Sequence, residues 1–179
     1  MTSSALVVGA SGIVGNSLVR HLAQRGWQVH GLARRPPADI EGVQPIAADL
    51  LDRDSLRKAL EGLRSTHVFL ATWLRQKTEA ENILINGAMV RNVLDALSSG
   101  GSVRHVALVT GLKHYLGPFE AYGKGALPAT PFREDQPRLD IEISTIPRKT
   151  RCFSRRGAMA SDGACIGRIR SLVTLLVTP

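Results

Sequence analysis

Apolar residues gather in five short runs along the chain, and between the runs they recur at helical spacing. The first run, Ala5-Leu-Val-Val, stops at Gly9 and passes through Ala-Ser-Gly12-Ile-Val-Gly15 into a stretch where Ile13, Leu18, Val19 and Leu22 share a helical face. This order predicts a strand, a glycine turn and a helix over residues 16–24, with Gly26 as the left-handed residue that closes it. Residues 28–32, 44–50, 66–73 and 103–109 read as four more strands. A helix opened by Asp52 or Asp54 runs to about Leu63, and a long one over residues 79–97 lines up Ile83, Leu84, Met89, Val90, Val93, Leu94 and Leu97 before Gly100-Gly101. Alternating strands and helices predict an α/β fold with a doubly wound parallel sheet, which receives ligands at the carboxyl ends of its strands.

The glycine turn is the first candidate site. Gly9 allows the sharp turn, Gly12 lets a phosphate approach the backbone, and Gly15 lets helix and strand pack closely. With Ser11, Ile13 and Val14 between them, they form a cradle in which unpaired amides and the helix dipole favour a pyrophosphate. An NAD site usually places an acid at the end of the second strand. Here Ala33 stands there, followed by Arg34 and Arg35. Guanidinium groups pair with a phosphate that a carboxylate would repel, so the expected cofactor is NADP(H). Asp49 and Leu50, at the end of the third predicted strand, are placed to meet the adenine, although Asp49 equally suits local turn chemistry. Thr72 and Trp73 end the fourth strand as candidate cofactor-wall residues, packing being the other reading of the Trp.

Composition changes this picture in one place. The 179 residues suffice for one buried core, and the net charge is +8. Seven of the 23 basic residues but one of the 15 acidic ones follow Ile143, so the basic character belongs to the tail. Its arginines lack interleaved aromatics, which argues against a nucleic-acid partner. No run of eighteen apolar residues and no leader pattern is present, so a soluble, cytoplasmic protein without a membrane partner is expected. Cys152 and Cys165 form no C-x-x-C, and His21, His30, His67 and His105 are scattered, so neither a metal nor a disulfide framework is expected. Oligomeric state is left open.

The fifth strand runs into Thr110-Gly-Leu-Lys113-His114-Tyr115-Leu-Gly-Pro118-Phe119-Glu120. A lysine and a tyrosine here can stand over a nicotinamide, where the ammonium can lower the tyrosine pKa or hold a developing oxyanion. The stretch TGLKHYLGPFEAY, taken with GASGIVG, ARRP and INGAMVRNVLDAL, resembles the progesterone 5β-reductase/iridoid synthase-like family of extended short-chain dehydrogenases/reductases, over residues 5–142. The G-x-x-G-x-x-G spacing agrees with that type. The resemblance implies NADPH-dependent reduction of an activated double bond in a small carbonyl substrate, an enone or enal. It implies Lys113 as the catalytic lysine and Thr110 as a cofactor-side residue. The family's catalytic tyrosine follows the R-L-D-I-E stretch, in a segment close to NFYYxxED. This chain continues after Glu142 with Ile143-Ser-Thr-Ile, and its two tyrosines, Tyr115 and Tyr122, lie earlier.

The genetic code connects these facts. Residues 143–153 can be encoded so that one A restored in front, read in the other frame, gives NFYYPQEDEMF. The same shift over residues 159–179 permits a second family-like string containing an H-R-P segment. The expectation is therefore an NAD(P)-binding domain over residues 1–142 and an out-of-frame basic tail over 143–179. Such a chain is truncated, its sheet incomplete on the C-terminal side, with the fifth strand's edge exposed, marginal stability and a defective catalytic pair. The strand-like run over residues 171–177 offers an accidental partner for that edge. Two other readings remain: an NADP-binding sensor module without redox activity, and a sugar-nucleotide epimerase or dehydratase. The lack of a Y-x-x-x-K pair and the presence of Arg34-Arg35 weigh against the latter.

Overall fold

The computed structural model describes residues 3–124, 131–133, 143 and 170–172. Along the chain run β1 (Ser4–Val8), α1 (Ile13–Gln24), β2 (Gln28–Ala33), β3 (Val43–Ala47), α2 (Arg53–Ala59), β4 (His67–Leu70), α3 (Glu79–Ser98), β5 (His105–Val109), the short α4 (Lys113–Leu116), a 3-10 turn (Phe119–Ala121) and β6 (Arg170–Leu172). The strands form one parallel sheet in the order β3-β2-β1-β4-β5-β6. Winding reverses between β1 and β4, and the crevice of a doubly wound fold opens there.

β1 lies at the centre and all five of its residues are buried. Successive side chains of a strand point to opposite faces, so β1 serves two cores at once. Ala5 and Val7 join Val19 and Leu22 of α1 and Val29 of β2 on one face, whereas Leu6 and Val8 join Leu56 of α2 and Val90, Val93 and Leu97 of α3 on the other. The three layers follow from that alternation.

Local chemistry sets the helix ends. Asp52 caps α2 by accepting from the Ser55 amide at 3.0 Å, which decides between the two expected caps. Thr78 and Glu81 form a reciprocal capping box at the start of α3. At the end of α1, the amides of Gly26 and Trp27 donate to the carbonyls of Ala23 and Leu22, with Gly26 at a φ of +74°.

Some expected boundaries shift. Helix α1 begins at Ile13 rather than Asn16, because the turn itself enters the first helical winding. β3 and β4 end at Ala47 and Leu70, three residues short of the ends of their apolar runs. Those runs continue as loop residues whose side chains face the crevice. The edge of β5 is not open: Arg170–Leu172 pairs with it in parallel, Ala107 opposite Arg170 and Val109 opposite Leu172. A parallel ladder is built from backbone groups, so an extended segment of any origin can supply it. His67 and His105 are not scattered either. They stand in register on β4 and β5 with ring centroids 5.7 Å apart, and Trp27 meets the His67 ring edge-on. Among the described residues no helix is long and apolar enough to cross a membrane, and no group of three or more His, Cys, Asp or Glu side chains could hold a metal. Cys152, Cys165 and nearly all of the basic tail lie outside the described residues.

Candidate functional site

The glycine turn is fixed by close approach. Gly9 has a φ of +92°, and its amide and that of Ala10 both donate to the Leu32 carbonyl. A Cβ at Gly9 would lie 2.7 Å from the Ala71 carbonyl oxygen, and one at Gly15 would lie 2.0 Å from that of Gly9. Gly12 is different: a Cβ there would meet only the Gly9 oxygen, at 3.4 Å, so its open side is available for a ligand. Gly12 caps α1 without any side-chain bond, and no acid occupies the first turn. The first amide bonded back into α1 is that of Asn16, to the Gly12 carbonyl at 2.8 Å. The amides of Ile13, Val14 and Gly15 precede it, and such a helix end attracts anions. Gly15 is buried and the Ile13 side chain is 84% exposed, so what these residues offer a ligand is backbone.

In front of the turn lies a cleft of about 230 Å³ that brings together Gly9, Ser11, Gly12, Arg34, Asp49, Leu50, Thr72 and Trp73. Leu32, Ala48, Leu51, Ala71, Leu74 and Met89, with Ala33, complete its walls, a contribution the sequence reading did not single out. Arg35 does not line this cleft; with Ser11 and Arg34 it lines an adjoining hollow. Both guanidinium groups are exposed and make no ion pair among the described residues. The Asp49 carboxylate accepts from the Leu51 amide at 2.9 Å, so its turn chemistry is present while the residue also lines the cleft.

Three buried asparagines of α3 hold the loops of this cleft, and the sequence reading missed them. Asn86, fully buried, accepts from the Leu74 amide at 2.8 Å and donates to the carbonyls of Leu74 and Asn82, both at 2.9 Å. Asn82 accepts from the Gln76 amide at 2.8 Å, and Asn92 donates to the Leu50 carbonyl at 2.8 Å. The available signal was polar residues interrupting the apolar face of a long helix.

Lys113 and Thr110 do not line the cleft, and Lys113 stands against its Trp73 wall. Lys113 is buried, with its ammonium 5.4 Å from the Trp73 ring centroid and 4.5 Å from that of Phe119. It forms an ion pair with Glu79, whose carboxylate also accepts from Asn82 at 3.2 Å. Arg75 covers the Phe119 ring at 5.0 Å, and Tyr122 meets that ring edge-on at 5.1 Å. Burial, and then the charge of Glu79, push the Tyr122 hydroxyl above its ordinary pKa, so it keeps its proton. Tyr115 stacks on Phe132. The Thr110 hydroxyl, just past the end of β5, is buried with no hydrogen-bond partner among the described residues. Of the segment where the family's tyrosine was expected, only Ile143, itself buried, falls among the described residues.

Residues 5–139 match the NAD dependent epimerase/dehydratase family. The chain is 43% identical over 148 residues to "(S)-8-oxocitronellyl enol synthase CYC2" of Camptotheca acuminata, covering 77% of this chain and 38% of that protein. It is also 43% identical over 150 residues to "3-oxo-Delta(4,5)-steroid 5-beta-reductase" of Arabidopsis thaliana, covering 78% of this chain and 38% of that protein. The chain therefore spans about two-fifths of the length of these curated relatives. Among solved structures, MoeE5 in complex with UDP-glucuronic acid and NAD superposes with a TM-score of 0.69 at 21% identity, over 96% of this chain and 54% of that one. WbmG of Bordetella bronchiseptica, in complex with NAD and UDP, gives 0.66 at 18% identity, over 97% and 53%. At such identities the likeness is one of fold.

Proposed function

Given that this chain belongs to the NAD dependent epimerase/dehydratase family and carries its NAD(P)-binding Rossmann fold, we propose that it is the cofactor-binding part of an NADPH-dependent reductase acting on the activated double bond of an enone or enal. The observation that carries the reading is the placement of Lys113, a buried ammonium held against Trp73, the same residue that walls the cleft in front of the glycine turn.

The residues present fit the cofactor. Amides at the α1 N-terminus and the open side of Gly12 suit its pyrophosphate, and Arg34 and Arg35 suit a 2′-phosphate. The unsatisfied Thr110 hydroxyl suits a polar group brought in at the strand ends. When bound, NADPH supplies the hydride. In an intact reductase of this type Lys113 would hold the negative charge that develops on the substrate carbonyl oxygen. The exposed rings of Trp73 and Tyr122 offer an apolar surface suited to a flat, unsaturated carbonyl compound.

The reading extends to the tail. Residues 143–179 are an out-of-frame sequence, the tyrosine that would complete Lys113 is lacking, and this chain binds NADPH without turning substrate over. The test is titration of the purified chain with NADPH and NADH, followed by progesterone or a small enal while absorbance of the reduced nicotinamide is recorded. The expected result is preferential binding of NADPH with no consumption. Turnover overturns the claim of a broken catalytic pair, and failure to bind either nucleotide overturns the cradle. A sensor without redox activity is the alternative, favoured by the presence of only two tyrosines. Sequencing the locus separates the two: an intact downstream frame after one inserted base supports the reductase.

A further inference from the structure

The geometry points to Glu79 as a positioning residue that fixes the ammonium of Lys113 in place. The inference rests on the reading of Lys113 as the group that meets the substrate oxygen. Four observations converge on it. Glu79 is the first residue of α3, and the capping box of Thr78 and Glu81 locks the backbone from which it projects. Its side chain is 12% exposed and that of Lys113 is 8% exposed, so the pair is largely withdrawn from water. The Glu79 carboxylate is itself oriented, because Asn82 donates to the same oxygen that receives Lys113. Asn82 in turn is held by the Gln76 amide, one turn before the helix.

Physical reasoning makes this arrangement more than a stabilising contact. A lysine has four rotatable bonds, and burying its charge against two aromatic faces alone leaves most of its hydrogen-bonding capacity unmet. Cation–π attraction to Trp73 and Phe119 draws the ammonium towards the rings but does not fix its direction. A charge-assisted bond to an oriented carboxylate does. Glu79 thereby selects one rotamer of Lys113, using one of its three N–H donors. A buried pair of this kind is weak evidence of stabilisation, since two apolar residues can replace such a pair without loss. Its position beside the cleft therefore argues for a role in orientation.

The test uses the full chain carrying Trp27→Phe, so that Trp73 is the only remaining indole. Two readouts need no cofactor: Trp73 fluorescence, and the rate at which Lys113 is acetylated, followed by peptide mass spectrometry against the exposed Lys58 and Lys77. Glu79→Gln is expected to raise Lys113 acetylation ~10-fold, the factor corresponding to loss of one charge-assisted bond of about 1.4 kcal/mol, with Lys58 and Lys77 unchanged. Trp73 emission should shift in both Glu79→Gln and Lys113→Met, and the double variant should shift no further, because the two residues act as a unit. Lys113 acetylation within about twofold of the parent, or additive fluorescence shifts, overturns the inference. Glu79→Asp covers the case in which Glu79→Gln does not fold. It keeps the negative charge at the helix start but draws the carboxylate back by one carbon–carbon bond, about 1.5 Å. A merely structural carboxylate leaves Lys113 protected in that variant, and a positioning one does not. Failure of the parent chain to bind NADPH, with Lys113 still protected through Glu79, would strike the reductase reading and with it the catalytic purpose of the pair, leaving only the hold of Glu79 on Lys113.

Discussion

Replacing Asn86 by leucine isolates what the asparagines of α3 contribute. The two side chains share a branched shape but leucine is the larger, so the change removes the hydrogen bonds without leaving a cavity and adds some crowding. Asn86 makes three bonds from a fully buried position, two of them to the amide and carbonyl of one residue, Leu74. Truncating a buried polar partner leaves the groups it satisfied without a bond, at about 1–3 kcal/mol each. The Asn82 carbonyl also lies within the helix and loses little. Counting the two loop groups, and allowing water to reach one of them, the expected loss is about 2–4 kcal/mol. Stabilities of native domains run from about 5 to 15 kcal/mol, so this is a large fraction, and at ~2–4 °C per kcal/mol the melting temperature should fall by about 4–16 °C. Urea unfolding followed by circular dichroism measures it. The Leu74 loop also carries Trp73, so NADPH should bind more weakly to Asn86→Leu than to an exposed-site control such as Leu84→Ala. A loss below about 1 kcal/mol, with unchanged NADPH affinity, would refute the idea that the amide holds this wall.

Gly15→Ala should prevent both stable folding and NADPH binding, because the added methyl meets the Gly9 carbonyl at 2.0 Å and neither backbone can yield without opening the turn; the purified fraction and a thermal melt check it. Substituting Arg34 and Arg35 together by alanine should lower affinity for NADPH by about 10- to 100-fold while changing NADH little, on the strength of charge-assisted phosphate bonds, and equal loss for both nucleotides would contradict the assignment. Stability should also depend on pH. Burial holds His30 below the ordinary value of 6.5, and burial, with the neighbouring His105 and Arg104, does the same for His67. A depressed histidine binds its proton more readily in the unfolded chain, so its contribution is complete above pH 6.5 and is lost as pH falls from there through the folded value. Urea midpoints at pH 7.5, 6.5 and 5.5 should decrease in that order, and His67→Gln should flatten the trend.

The sheet was legible because its central strands are continuous apolar runs and its turn glycines are demanded by backbone contacts. Spacing alone assigns Gly9 the tight turn and Gly15 the close packing of helix and strand, and the φ of +92° at Gly9 and the 2.0 Å approach of a Gly15 Cβ to the Gly9 oxygen agree with those two roles. The strand ends were less legible. Leu50 and Trp73 continue apolar runs whose ladder partners have already stopped, so hydrophobicity reports the wall of the cleft in the same way as it reports the core. The asparagines and Glu79 were not visible, since each acts on a loop or helix that only the fold brings near. Thr78-x-x-Glu81 announces a helix start, but nothing local announces that Glu79, the first of the two residues between them, will meet a lysine on α4. His67 and His105 belong to separate strands, and only parallel register sets them side by side.

The capping box at the head of α3 also sets a time scale. Helix ends open and close far more readily than the sheet beneath them, as local events that do not require global unfolding. Each opening of the first turn of α3 withdraws Glu79 and sets the Lys113 ammonium free. The amides of Glu81 and Asn82, bonded to the Thr78 side chain at 3.2 Å and to its carbonyl at 3.0 Å, exchange with solvent hydrogen in the same events. Their exchange rates should therefore rise together with Lys113 acetylation when Thr78 is replaced by alanine, while amides of β1 stay protected. A lysine buried in the folded chain thus becomes available at the frequency with which one helical turn frays.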